Sequence, residues 1–286
     1  MSGKWMRLII LVALLIGAAA VFYGQEEVFV CPMDPDVRSN VPGVCERCGM
    51  KLVSGIPDPA EYTLDLNVTP QILKPNIPAN FEFVVRDPWK DRPVKKFQIV
   101  HEKLFHMFAV SQDLKFFLHD HPQLQEDGSF LLKTALPKPG MYRVLGDFYP
   151  DGSTPQLIAK TIMLPGTPPE PAHLTKDYSA KTDQNMTVEL ETDPPQPIAH
   201  TKTLMFFKIK PADGLEKYIG AWAHMLAASD DLIDMIHTHP FLADGGPNMQ
   251  FNVIFPRAHA YRVWVQFQRL GVVNTVYFDV PVEDLH

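Results

Sequence analysis

The residues best suited to chemistry are six histidines in two matched sets. The stretch His106-Met-Phe-Ala-Val-Ser-Gln-Asp-Leu-Lys-Phe-Phe-Leu-His119-Asp-His121-Pro122 recurs as His224-Met-Leu-Ala-Ala-Ser-Asp-Asp-Leu-Ile-Asp-Met-Ile-His237-Thr-His239-Pro240, with the same spacing from the first His to the closing His-x-His-Pro. Neutral imidazole is a common ligand for copper, zinc and nickel, so three imidazoles brought together would make a metal site in each copy. The alternative is a polar sheet face that merely survived duplication. Retention of the His positions in both copies, while most neighbours diverged, favours metal.

What must position them is a hairpin. Ser111-Gln112-Asp113-Leu114 and Ser229-Asp230-Asp231-Leu232 put turn-forming residues between apolar runs. A turn centred between Gln112 and Asp113 pairs Val110 with Lys115, Phe108 with Phe117 and His106 with His119. The same arithmetic pairs His224 with His237. Opposite residues hold their Cβ atoms ~4.5–5.5 Å apart and side chains two apart share a face, so His121 and His239 join their clusters. A loop one residue longer or shorter would flip one strand and separate His106 from the other two.

The same alternation places the other residues near the sets. Met107 and Met225 fall on the opposite strand face and read as core, the former with Phe105, Ala109, Phe116 and Leu118. His101 falls on the opposite face and His259 in a turn, so neither is counted. Asp147, which becomes Gln266 in the second copy, is either a ligand or orienting partner of the first site, or simply an acid before the Tyr149-Pro150-Asp151-Gly152 turn.

The duplication extends beyond the hairpins. Tyr142-Arg143-Val144 answers Tyr261-Arg262-Val263, and 248–255 answers 128–135. Short runs alternating with period two, such as Tyr62–Val68, Phe81–Val85 and Met186–Glu191, are separated by turn residues and Pro-rich linkers at 56–60 and 166–172. Proline is abundant, 27 in 286 residues, nearly twice its usual share. The expected fold is all-β: two tandem immunoglobulin-like β-sandwiches, residues 58–166 and 174–286, each large enough for its own core. Ahead of them stand a small Cys-rich metal-binding domain at 25–57 and an apolar N-terminal helix.

All three cysteines of the chain fall in Val30-Cys31-Pro32-Met33-Asp34-Pro35…Pro42-Gly43-Val44-Cys45-Glu46-Arg47-Cys48-Gly49-Met50-Lys51-Leu52. Cys45-x-x-Cys48 is a thiolate knuckle suited to zinc and softer metals, and Cys31 is close enough to join it. A disulfide with one thiol left over is the competing reading. The motif Cys-Pro-Met-x-Pro…Pro-Gly-x-Cys-x-x-Cys-Gly-Met-x-Leu resembles the heavy-metal-binding domain found at the start of copper-transporting P-type ATPases and in periplasmic adaptors of metal-efflux pumps. The resemblance covers about residues 28–54. It implies Cys31, Cys45 and Cys48 as thiolate ligands and Met33 and Met50 as thioether partners. This chain departs from the family pattern by carrying Asp34 where that family usually has His.

Residues 1–24 carry Lys4 and Arg7 and then an almost wholly apolar run from Leu8 to Val21. This describes a secretory signal or, if retained, a membrane anchor formed by residues 8–24. The expected location is therefore periplasmic or otherwise extracytoplasmic. A net charge of −7 gives no electrostatic footprint for nucleic acid. No Gly-x-Ser-x-Gly, His-Glu-x-x-His or phosphate loop occurs. The combined reading is an exported heavy-metal-binding protein for sequestration or handover rather than turnover. Copper is the favoured ion, zinc and nickel fit the same ligands, and a membrane efflux pump or P-type ATPase is the expected partner. A copper-dependent oxidoreductase using one three-imidazole site and a metal-free double-sandwich scaffold or adhesion module are the competing readings.

Overall fold

The computed structural model describes residues 28–32, 37–46, 50–55 and 60–285; the expected N-terminal helix lies outside them, as do Met33, Asp34 and Cys48. Among the described residues the fold is all-β, with two tandem β-sandwich-like units.

At the front, β1 (Phe29–Val30), β2 (Arg38–Ser39) and β3 (Val53–Ser54) form a three-stranded sheet in the order β2-β1-β3. Cys31, Cys45, Met50 and Leu52 bury beneath it against Tyr149 and Val100 of the first sandwich.

The first sandwich contains β4 (Thr63–Thr69), β5 (Ala79–Arg86), β6 (Phe105–Ser111), β7 (Phe117–Asp120), β8 (Gln123–Leu124), β9 (Phe130–Thr134), β10 (Gly140–Phe148) and β11 (Gln156–Leu164). One sheet runs β4-β5-β9-β8 and the other β11-β10-β6-β7. Their inner faces enclose Phe81, Phe83, Phe105, Met107, Phe130 and Val144. Glycine is required at 146, because a Cβ there would lie 2.4 Å from the Phe105 ring.

The second sandwich contains β12 (Lys181–Asp183), β13 (Met186–Asp193), β14 (Lys202–Lys210), β15 (Leu215–Glu216), β16 (His224–Ser229), β17 (Met235–Thr238), β18 (Asn248–Ile254), β19 (Ala260–Arg269) and β20 (Val272–Pro281). Its sheets run β12-β13-β14-β18 and β15-β19-β16-β17, with β20 also paired to β19. A separate core gathers Met205, Phe207, Met225, Phe251, Phe267 and Phe278.

Every residue of β6 and β16 is buried, on both faces. Phe105, Met107 and Ala109 face the first core, and Met225 and Ala227 the second, so both methionines are core as their alternation requires. The opposite faces meet each other: Phe108, Val110, Leu114 and Leu145 pack with Leu226, Ala228, Leu232 and Trp264 in a third apolar cluster. Phe117 stacks on Trp264 at 5.2 Å, and Arg262 donates to the Leu114 carbonyl at 2.9 Å. The repeats thus keep separate cores and share an apolar seam.

The hairpin register differs from the expected pairing by two residues. Val110 faces Phe117 and Phe108 faces His119, while Leu226 faces His237. The turn is longer than its composition suggests. Ser111 Oγ donates to Asp113 and accepts from the Phe116 N–H, and Ser229 does the same with Asp231 and Asp234. Leu114 and Leu232 take left-handed backbone, φ 51° and 59°, which is unusual for leucine. Burial of both side chains in the seam offsets that cost. Because the slip is even, side-chain parity survives and all three imidazoles of each hairpin keep one face.

Candidate metal centre

Each triad converges. One nitrogen from each of His106, His119 and His121 lies within 4.8 Å of the other two, and the same holds for His224, His237 and His239. His106 Nδ1 is 3.1 Å from His119 Nε2 and 3.2 Å from His121 Nε2, and His224 Nδ1 is 3.0 Å from His239 Nε2. An ion ~2.0–2.1 Å from each nitrogen needs N···N separations of roughly 3.3–3.6 Å, so these three pairs need open by only a few tenths of an ångström.

The outward nitrogens fix which atoms point inward. His106 Nε2–H donates to the Val100 carbonyl at 3.0 Å, and His224 Nε2–H to the Tyr218 carbonyl at 2.8 Å. His119 Nδ1–H donates to Gln266 Oε1 at 2.7 Å, and His237 Nδ1–H donates to the Asp147 carboxylate. A neutral imidazole has one proton, so His106 Nδ1 and His119 Nε2 present lone pairs to each other at 3.1 Å. His237 Nε2 is likewise buried without a hydrogen-bond partner. Lone pairs held this way are stabilised by a shared cation, and soft or borderline ions suit an all-nitrogen set.

Burial favours the neutral form of His106, His119, His121, His224 and His239. It pulls His106 down to about 4 and His121 to about 3, with neighbouring imidazolium charge adding in both. His119, His224 and His239 are driven well below the ordinary histidine range by burial first and then by adjacent imidazoles. Burial raises Asp147, but the hydrogen bond and charge of His237 outweigh it, and the carboxylate titrates below its ordinary value. Five imidazoles biased to the neutral form, with a carboxylate held on the sixth, are a ligand set suited to a cation.

Asp147 therefore serves the second triad, not the first, and Gln266 serves His119 from the other repeat. Sequence spacing places both residues on the correct strand face without revealing that the repeats exchange them.

His101 was missed by parity. Val100 and Lys103 exchange both backbone hydrogen bonds around His101 and Glu102, whose φ values of 46° and 65° describe a two-residue type I′ turn. The turn throws the His101 ring against His239, centroids 3.8 Å apart, with its Nε2 buried and unpartnered. The second repeat makes the same turn at Ile219-Gly220. Gly220 was the available signal, since such turns select glycine. A cleft of about 550 Å³ lined by Glu46, His101, Lys217, Trp222, His239 and Phe241 reaches the second triad. A larger hollow of about 690 Å³ over β13, β14 and β18 has no imidazole in its lining.

His259 also approaches two acids, Asp230 and Asp231. The Arg257 guanidinium lies 2.9 Å from Asp231 and 2.7 Å from Asp234, so a cation already neutralises that group.

The model of a domain of unknown function, DUF8832, matches residues 58–161 and again 180–284, more than half of the chain. The chain belongs to the DUF8832 family. Each DUF8832 match contains one histidine triad. The heavy-metal-binding domain model matches residues 28–54, ahead of the first DUF8832 unit. Of its expected ligands, Cys31, Cys45 and Met50 are buried together, while Met33 and Cys48 lie outside the described residues. No curated protein matches. Among solved structures, FdeC, an Escherichia coli adhesin, is similar at 13% identity over 82% of this chain and 67% of its own, TM-score 0.26. A two-domain fibronectin type-III segment of chicken tenascin is similar at 12% identity over 76% and 97%, TM-score 0.21. Neither likeness is close enough to carry a functional argument.

Proposed function

We propose that this DUF8832 protein is an exported copper-binding protein that sequesters the metal or hands it on, with three imidazole or thiolate sites on two immunoglobulin-like sandwiches and a front domain. The observation that carries the reading is the His106–His119 pair, two acceptor nitrogens 3.1 Å apart whose protons are committed elsewhere. Cys31, Cys45 and Cys48, with Met33 and Met50 as thioether partners, form the soft site in the front segment, in keeping with its family match. The nitrogen triads suit copper in either oxidation state and also accept zinc or nickel. Residues 1–24 act as the export signal or inner-membrane anchor, which would bring the protein beside a pump or ATPase that receives its cargo.

Burial favours binding over turnover. His106 and His224 are each 2% exposed, which excludes bulky substrates from the inner rings. The test is the copper, zinc and nickel content of protein purified from its own periplasm. Copper is expected to exceed the thiolate equivalents and to fall when His119 and His237 are replaced by Ala. Metal content unchanged by those replacements refutes the imidazole sites. Sustained oxidation of a substrate by copper-loaded protein, abolished by His119→Ala, would overturn the preference for storage.

A further inference from the structure

The two triads are not separate places. Within a triad, ring centroids lie 4.6–6.1 Å apart. Across the seam, His119 lies 5.4 Å from His224 and 6.2 Å from His237, and His106 lies 6.0 and 5.9 Å from the same pair. His224 is therefore nearer to His119 of the other repeat than to His237 of its own.

The seam also completes each triad. His119 takes its orienting acceptor from Gln266 and His237 takes its own from Asp147, so neither repeat alone fixes the tautomer of its middle ligand. Phe108 lies beneath both, its ring 4.2 Å from His119 and 4.7 Å from His237. The ligands stand on β6, β7, β16 and β17 or just beyond them, strands whose adjoining apolar residues are packed into the common cluster, so their separation is set by the seam.

We infer that the six imidazoles form one dinuclear centre, in which two copper ions, one on each triad, are close enough to share a small bridging anion such as hydroxide. The inference rests on the copper-binding reading of the triads and adds their coupling. Two-metal sites bridged by one oxygen place their ions ~3.5–4 Å apart. Like charges at that distance repel in a buried setting, and a bridging anion offsets the repulsion. Three nitrogens leave a coordination position on each ion for the bridge.

The test uses the full chain. One equivalent of Ag(I), soft and spectroscopically silent, first occupies the thiolates, and Cu(II) is then titrated while bound copper and its electron paramagnetic resonance are both measured. Two equivalents are expected to bind, with loss of the mononuclear signal as the second fills and a copper–copper distance in X-ray absorption. His237→Ala should restore the signal of the copper that remains, and Gln266→Ala supplies a second variant if the first fails to fold. Two bound ions retaining full, uncoupled signal overturn the inference but leave copper binding intact. A single ion on the six imidazoles overturns it as well. No copper on the imidazoles refutes both this inference and the reading on which it rests.

Discussion

Replacing Asp147 by Ala removes the acceptor that holds His237 Nδ1–H, although Asp147 belongs to the first repeat and His237 to the second. Loss of such an orienting partner typically weakens metal affinity 10–100-fold, about 1.4–2.7 kcal/mol. Leaving the buried Nδ1–H unpaired costs about 1–3 kcal/mol, so the two estimates agree. Cu(II) affinity is read by chelator competition in two backgrounds. With His121→Ala, only the second triad holds a complete set of ligands, and Asp147→Ala should weaken it by the full amount. With His239→Ala, only the first triad is complete, and Asp147→Ala should leave it unchanged within error. Asp147→Gln should recover much of the loss, because Gln266 performs the same task for His119 at 2.7 Å. If Asp147→Ala weakens the first triad and spares the second, the exchange of orienting groups across the seam is wrong.

Acid should destabilise the metal-free protein in a defined window. His106 is lowered from 6.5 to about 4, so as pH falls the unfolded chain binds the proton first; stability is complete above pH 6.5, is lost progressively towards 4, and this group alone accounts for about 3 kcal/mol. His101 and His121, both lowered to about 3, act in the same direction, and denaturant titrations at pH 7.5, 6 and 4.5 check the slope, which copper loading should shift to lower pH. Trp264→Ala opens the seam at a cost of about 3–5 kcal/mol, and small-angle scattering should show the repeats separating while each core stays folded. Residues 176–286 expressed alone should give dispersed amide resonances, because the second core is its own; collapse of that dispersion would mean the shared seam is indispensable. Deleting residues 25–57 should remove one equivalent of Cu(I) binding by metal analysis, and unchanged capacity would contradict the thiolate site.

The sequence by itself determined which side chains share a strand face. Period-two alternation and the duplicated His…His-x-His spacing put three imidazoles on one side of each hairpin and both methionines in the cores, and an even slip in register could not alter that parity. It also carried the thiolate motif, whose residues are neighbours along the chain. Tertiary structure alone decided which outer faces bury against each other. His119 meets Gln266 across 147 positions and Asp147 meets His237 across 90, and no local period encodes a contact between separate sheets. The tight turn at His101-Glu102 likewise sends one ring to the triad of the other repeat, because two left-handed residues reverse the chain where alternation assumes it runs straight. Strand periodicity is a property of one segment, whereas a site at a seam depends on how two folded surfaces fit.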